Sequence, residues 1–160
     1  MIETTVRYLD GVRFEVEARG HRMICDQPRE GGGDDTGMTP PELMLASLAT
    51  CAGYYALQYL KFRSLPAEGL TVCVEAEKAQ QPARIGSFRI VLQAAGIDDP
   101  HHLAGMERAA EKCLIHKTLL LSPSIEIEVV PSGCGQIGVA GSLVGPEAGG
   151  GEPRGVHPVR

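Results

Sequence analysis

The first third of the chain alternates apolar and polar residues, a pattern typical of strands that bury one face. In residues 12–19 every second side chain is apolar and the others are charged. Asp10-Gly11 predicts a hairpin turn that joins this strand to another over residues 2–8. Arg19-Gly20 predicts a second turn, followed by a short strand over residues 21–25.

A glycine-rich loop follows, and a long helix is predicted after it. Thr39 can cap the helix, Pro40 occupies a position where an N–H donor is not needed, and Glu42 completes a capping box. The helix is expected to run to about Arg63, where a Ser-Leu-Pro sequence ends it.

Residues 43–60 of this helix contain no charged side chain and reach the length of a membrane-spanning segment. They also contain a serine, a threonine, a glycine, a glutamine and three tyrosines. We therefore interpret the segment as a central, largely buried helix and expect no membrane association. A single domain of about 130 residues cannot easily bury a helix that is so apolar, which favours an intertwined dimer.

The second half of the chain predicts two further strands, a helix and a last strand. Alternation indicates strands over residues 70–77 and 87–94, and Asp98-Asp99-Pro100 opens a helix that is expected to carry Cys113. Ile125–Val129 alternates again and predicts the last strand. Strands and helices in this order indicate an α+β fold, with antiparallel sheets and two long central helices.

Residues 131–160 are rich in glycine, alanine and proline and show no periodicity. They are predicted to form a disordered tail, so that residues 1–130 are the folded domain.

Charge and cysteine content narrow the class of protein. The chain has 160 residues and a formal net charge of −5, with no cluster of lysine and arginine, which argues against a nucleic-acid partner. Five unclustered cysteines do not resemble a secreted disulfide scaffold. The N-terminus lacks the apolar core of a signal peptide, so we expect a cytoplasmic protein with reduced thiols.

Cys51 and Cys113 are the candidate reactive residues. A buried cysteine often serves packing alone, but two thiols on core helices that pack together can carry a redox cycle. The helix face around Cys51 is mixed, which suits either a pocket with a few polar groups or a contact with a second subunit. Its members are Met44, Ser47, Tyr54, Tyr55 and Gln58.

If the second helix continues past Cys113, His116 and Lys117 lie near its sulfur and favour the thiolate. The alternative is a histidine that caps a helix end beside a solvated lysine. When one thiolate attacks a peroxide, the other can condense with the resulting sulfenic acid to a disulfide. The remaining cysteines are expected to be bystanders, namely Cys25, Cys73 and Cys134.

These residues resemble the OsmC/Ohr family, the osmotically inducible protein C and organic hydroperoxide resistance proteins. The resemblance covers roughly Val12 to Val129 and rests on Gly20-His21, the glycine-rich loop, Pro40 to Cys51 and Glu111 to His116. It implies an intertwined α+β homodimer and thiol-dependent reduction of organic hydroperoxides in oxidative stress defence. No cofactor or metal is implied, and the reductant would be a dithiol of the lipoyl or thioredoxin type.

The resemblance makes Cys51 the peroxidatic and Cys113 the resolving cysteine, with His116, Glu42, Arg13 and Tyr54 as supporting or binding residues. The chain departs from the family pattern at three positions. Glu42 lies nine residues before the first cysteine rather than ten, which turns it to the opposite face of the helix. Leu9-Asp10-Gly11 occupies the turn where the family has its arginine, and Leu114 replaces a proline.

Two other functions remain open. One is a non-catalytic protein that binds a small apolar ligand in a cavity at the dimer interface, beside Cys51 and Cys113. The other is metal binding by Cys51, Cys113 and His116, where three ligands could hold zinc with one open position.

Overall fold

The computed structural model describes residues 2–131 and confirms the α+β fold with antiparallel sheets. Its strands are β1 (Thr5–Asp10), β2 (Arg13–Ala18), β3 (His21–Cys25), β4 (Thr71–Gln80) and β5 (Ala83–Gln93). Its helices are α1 (Pro40–Phe62), α2 (Pro100–Ala110) and α3 (Leu114–Leu120). Apart from Pro131, the predicted tail lies outside the described residues, and so does Cys134.

β1, β2 and β3 form an antiparallel sheet in chain order, with one polar and one apolar face. On the polar face Arg7 pairs with Glu17 at 2.7 Å. On the apolar face Tyr8 stands opposite Phe14, and their ring centroids are 5.9 Å apart. This apolar face is poorly covered, since Tyr8 is 63% exposed and Val6 is 55% exposed.

The glycine-rich loop between β3 and α1 is organised by a buried carboxylate, Asp26. Its oxygens accept hydrogen bonds from the backbone N–H groups of Gln27, Asp34 and Thr36, and from the Thr36 hydroxyl at 2.7 Å. These bonds, the one from the Thr36 N–H first, outweigh the cost of burial and lower the pKa of Asp26 to about 2. The loop is therefore a fixed structure rather than a loose connection.

α1 begins as predicted, with a capping box between Thr39 and Glu42. The helix buries one stripe of side chains, which are Leu48, Ala52, Ala56 and Leu60. The two alanines allow close approach of neighbouring elements, and α1 packs against β4, α2 and α3. The prediction of a helix buried on most sides is therefore too strong, since Tyr54 on another face is 58% exposed.

α2 packs on the C-terminal half of α1. Gly105 of α2 faces Tyr59 so closely that a Cβ at this glycine would lie 2.1 Å from the phenol oxygen. That oxygen is 3.1 Å from Nδ1 of His102. Beside this contact Leu60, Ile97 and Met106 form a buried cluster, so the main core lies between α1, α2 and the end of β5.

β4 and β5 form a long antiparallel hairpin whose turn is at Gln81-Pro82. Both strands extend further toward this turn than the alternation predicts. Most side chains of the extension are exposed to solvent, and only Ala79 and Ile85 are half-buried, so its apolar alternation is too weak to predict a strand.

The predicted helix through Cys113 is wrong, because two helices meet there instead. α2 ends at Ala110, and Cys113 has a ψ of 129° that no helix interior adopts. Cys113 is the N-cap of α3, and the chain turns by a backbone hydrogen bond of 2.9 Å from its N–H to Ala110.

The predicted strand over Ile125–Val129 is also wrong. This segment has no strand assignment and no pairing partner among residues 2–131, and Ile125, Ile127 and Val129 are all more than 80% exposed. Alternation alone cannot make a strand, because its backbone N–H and C=O groups need a neighbouring edge. No helix within residues 2–131 is long and apolar enough to cross a membrane.

Candidate functional site

The structure brings Cys51 and Cys113 together. Cys51 lies at the middle of α1, and Cys113 lies at the start of α3, which packs against α1. Their thiols are within hydrogen-bonding reach of each other. Two residues 62 positions apart in the chain therefore form one thiol pair.

The surroundings of Cys113 favour its protonated form. The residue has no exposed surface, and this burial is the first cause that raises the pKa of its thiol; the hydrogen bond with Cys51 raises it further. The backbone N–H of His116 donates to Cys113 Sγ at 3.4 Å, which acts in the opposite direction but does not prevail. Of the two alternatives left open by the sequence, the one in which neighbouring groups lower the pKa of Cys113 is met only in part, since burial and Cys51 raise it more than the His116 N–H lowers it.

Cys51 lies in a different setting, because it is half-buried and retains access to solvent. Cys51 is thus the more exposed residue of the pair, whereas Cys113 is completely buried. The pair therefore combines an accessible thiol with a buried thiol that keeps its proton. This is the arrangement that a nucleophile and its resolving partner require.

His116 contacts the pair through its backbone N–H, while its ring is held by the backbone that precedes Cys113. Its Nδ1 is 3.3 Å from the Glu111 carbonyl oxygen, a contact that requires a proton on Nδ1. His116 also lines two adjoining cavities. The sequence predicted that His116 lies near Cys113, and the structure places it there at the start of a separate helix, so its supporting role stays a prediction.

The other supporting residues are occupied elsewhere. Glu42 accepts hydrogen bonds from the Thr39 N–H and hydroxyl, and these lower the pKa of its carboxyl. Arg13 forms an ion pair with Asp10 at the β1–β2 turn. Tyr54 is exposed and packs edge-to-face on the neighbouring Tyr55, with ring centroids 5.6 Å apart. None of these contacts involves a thiol.

An apolar groove adjoins the thiol pair, and sequence reasoning did not find it. Its main part has a volume of about 640 Å³ between α1, β5 and α3. A smaller cavity of about 270 Å³ continues it, and both are lined by Phe88, Ile90 and His116. On α1 the groove is lined by Met44 and Leu48, which precede Cys51 by two turns and by one turn on a shared face.

A second cavity of about 690 Å³ lies near the N-terminus around Arg7, Glu17 and Arg19. It is lined by neither cysteine nor histidine, so its size does not make it the reactive site. Within residues 2–131 no three histidine, cysteine or acidic side chains are grouped as a metal site would require. Cys51, Cys113 and His116 therefore do not form the arrangement that zinc binding needs.

Comparison with known proteins settles the family. The sequence profile described as OsmC-like protein matches residues 32–129, which include both thiols and the groove. The chain belongs to the OsmC-like family. A comparison with curated protein sequences finds no match.

Solved structures of this OsmC-like protein's relatives share its fold at low identity. A structure from Psychrobacter arcticus, described as an osmotic stress induced and detoxification response protein, has a TM-score of 0.67 at 21% identity, over 74% of this chain and 88% of that one. An organic hydroperoxide resistance protein from Legionella pneumophila has a TM-score of 0.57 at 19% identity, over 74% and 88%. The organic hydroperoxide resistance protein OhrB of Bacillus subtilis has a TM-score of 0.53 at 19% identity, over 76% and 92%.

Proposed function

We propose that the protein is a thiol-dependent reductase of organic hydroperoxides that acts in oxidative stress defence. The observation that carries this proposal is the contact between an accessible thiol, Cys51, and a buried one, Cys113. Family membership and the likeness to organic hydroperoxide resistance proteins support the same function.

In the proposed reaction, the Cys51 thiolate attacks the terminal oxygen of the hydroperoxide. A sulfur–oxygen bond forms, the O–O bond breaks, and the alkoxide leaves as an alcohol after it takes up a proton. Cys113 then attacks the sulfur of the Cys51 sulfenic acid, so that a disulfide forms and water leaves. The two electrons come from the thiols, and an external dithiol returns them by thiol–disulfide exchange.

The raised pKa of Cys113 keeps this thiol out of the first step, because a buried thiol that keeps its proton does not compete with Cys51 for the peroxide. Cys113 is then left to act in the second step. Its proton is carried to the departing hydroxide when the disulfide forms. The apolar groove beside α1 suits a substrate with a carbon skeleton better than hydrogen peroxide. We place this cycle in the cytoplasm, where dithiol reductants keep such a pair reduced.

We further propose that the functional protein is a homodimer. The apolar face of the first sheet exposes Val6 and Tyr8, and an open face of this kind marks an interaction surface. Sedimentation at micromolar concentration is expected to give twice the chain mass of 17.0 kDa. A single-chain mass at that concentration contradicts this part of the proposal.

The test of the reaction is a titration with cumene hydroperoxide and, separately, with hydrogen peroxide, followed by non-reducing peptide mapping. The expected product is a Cys51–Cys113 disulfide that forms faster with the organic peroxide. Cys73→Ser is the matched control, because Cys73 is exposed on β4 and takes no part in the pair. Thiols that stay reduced in an excess of both oxidants refute the proposal.

A second candidate function is the binding of a small apolar ligand without catalysis. Two interactions favour this function. Arg13 is ion-paired with Asp10, and Glu42 accepts a hydrogen bond from Thr39, so neither Arg13 nor Glu42 is free to polarise a peroxide. The same titration separates the two functions, because a pure binding protein leaves both thiols reduced.

A further inference from the structure

We propose that α3 is a redox-sensitive element, which the thiol of Cys113 holds in place in the reduced protein and which is released when Cys113 forms a disulfide with Cys51. The inference deepens the proposed function and rests on it, since it adds a regulating step at the same thiol pair. It follows from the cap of α3, from the low burial of this helix and from the geometry of a disulfide bond.

The sulfur of Cys113 has two kinds of partner in the reduced protein. As the N-cap of α3 it accepts a hydrogen bond of 3.4 Å from the His116 N–H, and the Ile115 N–H also acts on it. The first N–H groups of a helix find no acceptor within the helix, so a cap of this kind satisfies them. The same sulfur is in hydrogen-bonding contact with the Cys51 thiol. One atom therefore both starts α3 and carries the proposed redox chemistry.

α3 depends on its cap because it is short and little buried. It has only seven residues, and a helix of this length is stable only where other contacts support it. None of its residues is fully buried, and Leu114 and Leu120 are more than half exposed. Its other end is an extended leucine, Leu121, rather than a glycine that would cap the last carbonyl groups. Loss of the N-cap is therefore expected to open this helix.

A disulfide with Cys51 makes a different demand on the capping sulfur. The two sulfurs must approach to about 2.05 Å with a dihedral angle near 90°, so Cys51 and not the His116 N–H then sets the direction of Cys113 Sγ. We expect the N–H groups of Ile115 and His116 to lose their acceptor and to turn to water as the first turn opens. The His116 ring and the Thr118 hydroxyl keep their own acceptors, which are backbone carbonyls, so they do not replace the cap.

Release of α3 gives a reductant access to the disulfide. Cys113 has no exposed surface in the reduced protein, and α3 begins at this residue. Once the first turn opens, a thiolate of the external dithiol can attack Cys113 Sγ, the S–S bond breaks, and Cys51 leaves and takes up a proton. The second thiol of the reductant then releases Cys113 from the mixed disulfide. With its thiol restored, Cys113 caps α3 again and the site closes.

Hydrogen–deuterium exchange with peptide mass spectrometry tests this step on the full chain. The protein is compared in its reduced form and after oxidation with diamide, whose N=N bond takes two electrons and two protons from two thiols. We expect the amides of residues 115–121 to exchange at least about fivefold faster in the Cys51–Cys113 disulfide form. This factor corresponds to the loss of a cap worth about 1 kcal/mol. The amides of α2 are the internal standard and should change by less than about twofold.

Cys113→Ser is the matched control, because serine caps a helix and cannot form the disulfide. Its α3 should exchange at the rate of the reduced wild type, with or without diamide. Cys113→Ala lacks the cap, so its α3 should exchange at the rate of the disulfide form without any oxidant. An α3 in the disulfide form that exchanges no faster than in the reduced form overturns the proposal. Equal acceleration in α2, or diamide that does not join the two thiols, overturns it as well.

Failure of this inference and failure of the reductase are separable, because diamide is not a peroxide. Faster exchange of α3 after diamide, in a protein whose thiols cumene hydroperoxide leaves reduced, supports the redox-sensitive helix and refutes the reductase. A Cys51–Cys113 disulfide that forms with cumene hydroperoxide and leaves α3 protected supports the reductase and overturns the release of α3.

Discussion

Cys51 and Cys113 carry the same functional group in opposite surroundings. Cys51 lies in the middle of a long helix and is half-buried, whereas Cys113 starts a short helix and has no exposed surface. Burial raises the pKa of Cys113 first, and contact with Cys51 raises it further. The two thiols therefore differ in solvent access and in how firmly they hold a proton, and this difference is the basis of the two roles that we propose for them.

The largest expected effect distinguishes the roles directly. Cys51→Ser should lower the rate of cumene hydroperoxide consumption by roughly 100-fold or more, because no other thiol combines access with a partner. Cys113→Ser should instead stop after one oxidation and accumulate a sulfenic acid at Cys51. Peroxide consumption in each variant, with dimedone labelling and intact mass, measures both outcomes. Sulfenic acid on Cys113 in the Cys51→Ser protein would reverse the assignment.

Alkylation tests the same contrast without peroxide. Iodoacetamide should modify Cys51 at least about tenfold faster than Cys113 in the native protein, with the exposed Cys73 as the internal standard. Because the pKa of Cys113 is raised, its rate should keep increasing above pH of about 8.5, where an ordinary cysteine levels off. Peptide mass spectrometry over time gives each rate. Equal rates for the pair at neutral pH contradict the contrast.

The two helix caps give a smaller effect, on stability. Thr39→Ala removes the cap of α1 and should cost about 1 kcal/mol, whereas Cys113→Ala removes a cap and a buried sulfur and should cost roughly 2 kcal/mol. Urea denaturation of both variants measures these differences. A Cys113→Ala protein as stable as the wild type would show that the cap is not formed.

The cost of Cys113→Ala should also depend on pH. Since the folded pKa of Cys113 is raised, the folded state holds this proton more tightly than the unfolded state. The stabilisation is complete below the unfolded cysteine pKa of about 8.5 and declines as pH rises through the folded value. The difference between the wild type and the variant should therefore shrink from pH 8 upward.

The smallest effect concerns residues that the structure separates from the thiols. Glu42→Gln and Arg13→Gln should each leave the cumene hydroperoxide rate within about twofold of wild type, because their partners are Thr39 and Asp10. Stopped-flow measurement of Cys51 oxidation provides the comparison. A loss of tenfold or more in either variant would mean that the side chain leaves its partner to assist the reaction.

Local signals explain which parts of the fold were predictable. Thr39 and Glu42 mark the start of α1 within four residues, and both the helix and the three-stranded sheet are confirmed. The break between α2 and α3 at Cys113 has no such signal. No proline or glycine lies next to it, and the residues around it are compatible with a continuous helix. That break depends on burying a thiol against α1, a tertiary contact that periodicity does not contain.

In the candidate site, too, some features could be predicted from the sequence and others depend on tertiary contacts. Cys51 and Cys113 were identified by residue type and setting, and the contact between them is present. The apolar groove was not identified, because its lining residues come from α1, β5 and α3 and are far apart in the sequence. Ile125–Val129 shows the converse, since its alternation is clear but the described residues offer it no strand edge.

The carboxylate of Asp26 has a consequence for proteolysis. Arg29 is exposed in the glycine-rich loop, and its sequence makes it a natural cleavage site for trypsin. A protease must first draw the loop into an extended conformation, but three backbone N–H groups and the Thr36 hydroxyl hold it on a side chain whose pKa is about 2. Across the pH range in which trypsin works, this carboxylate remains charged. The bond after Arg29 is therefore protected although Arg29 is exposed, because the buried Asp26 side chain holds the loop in its conformation.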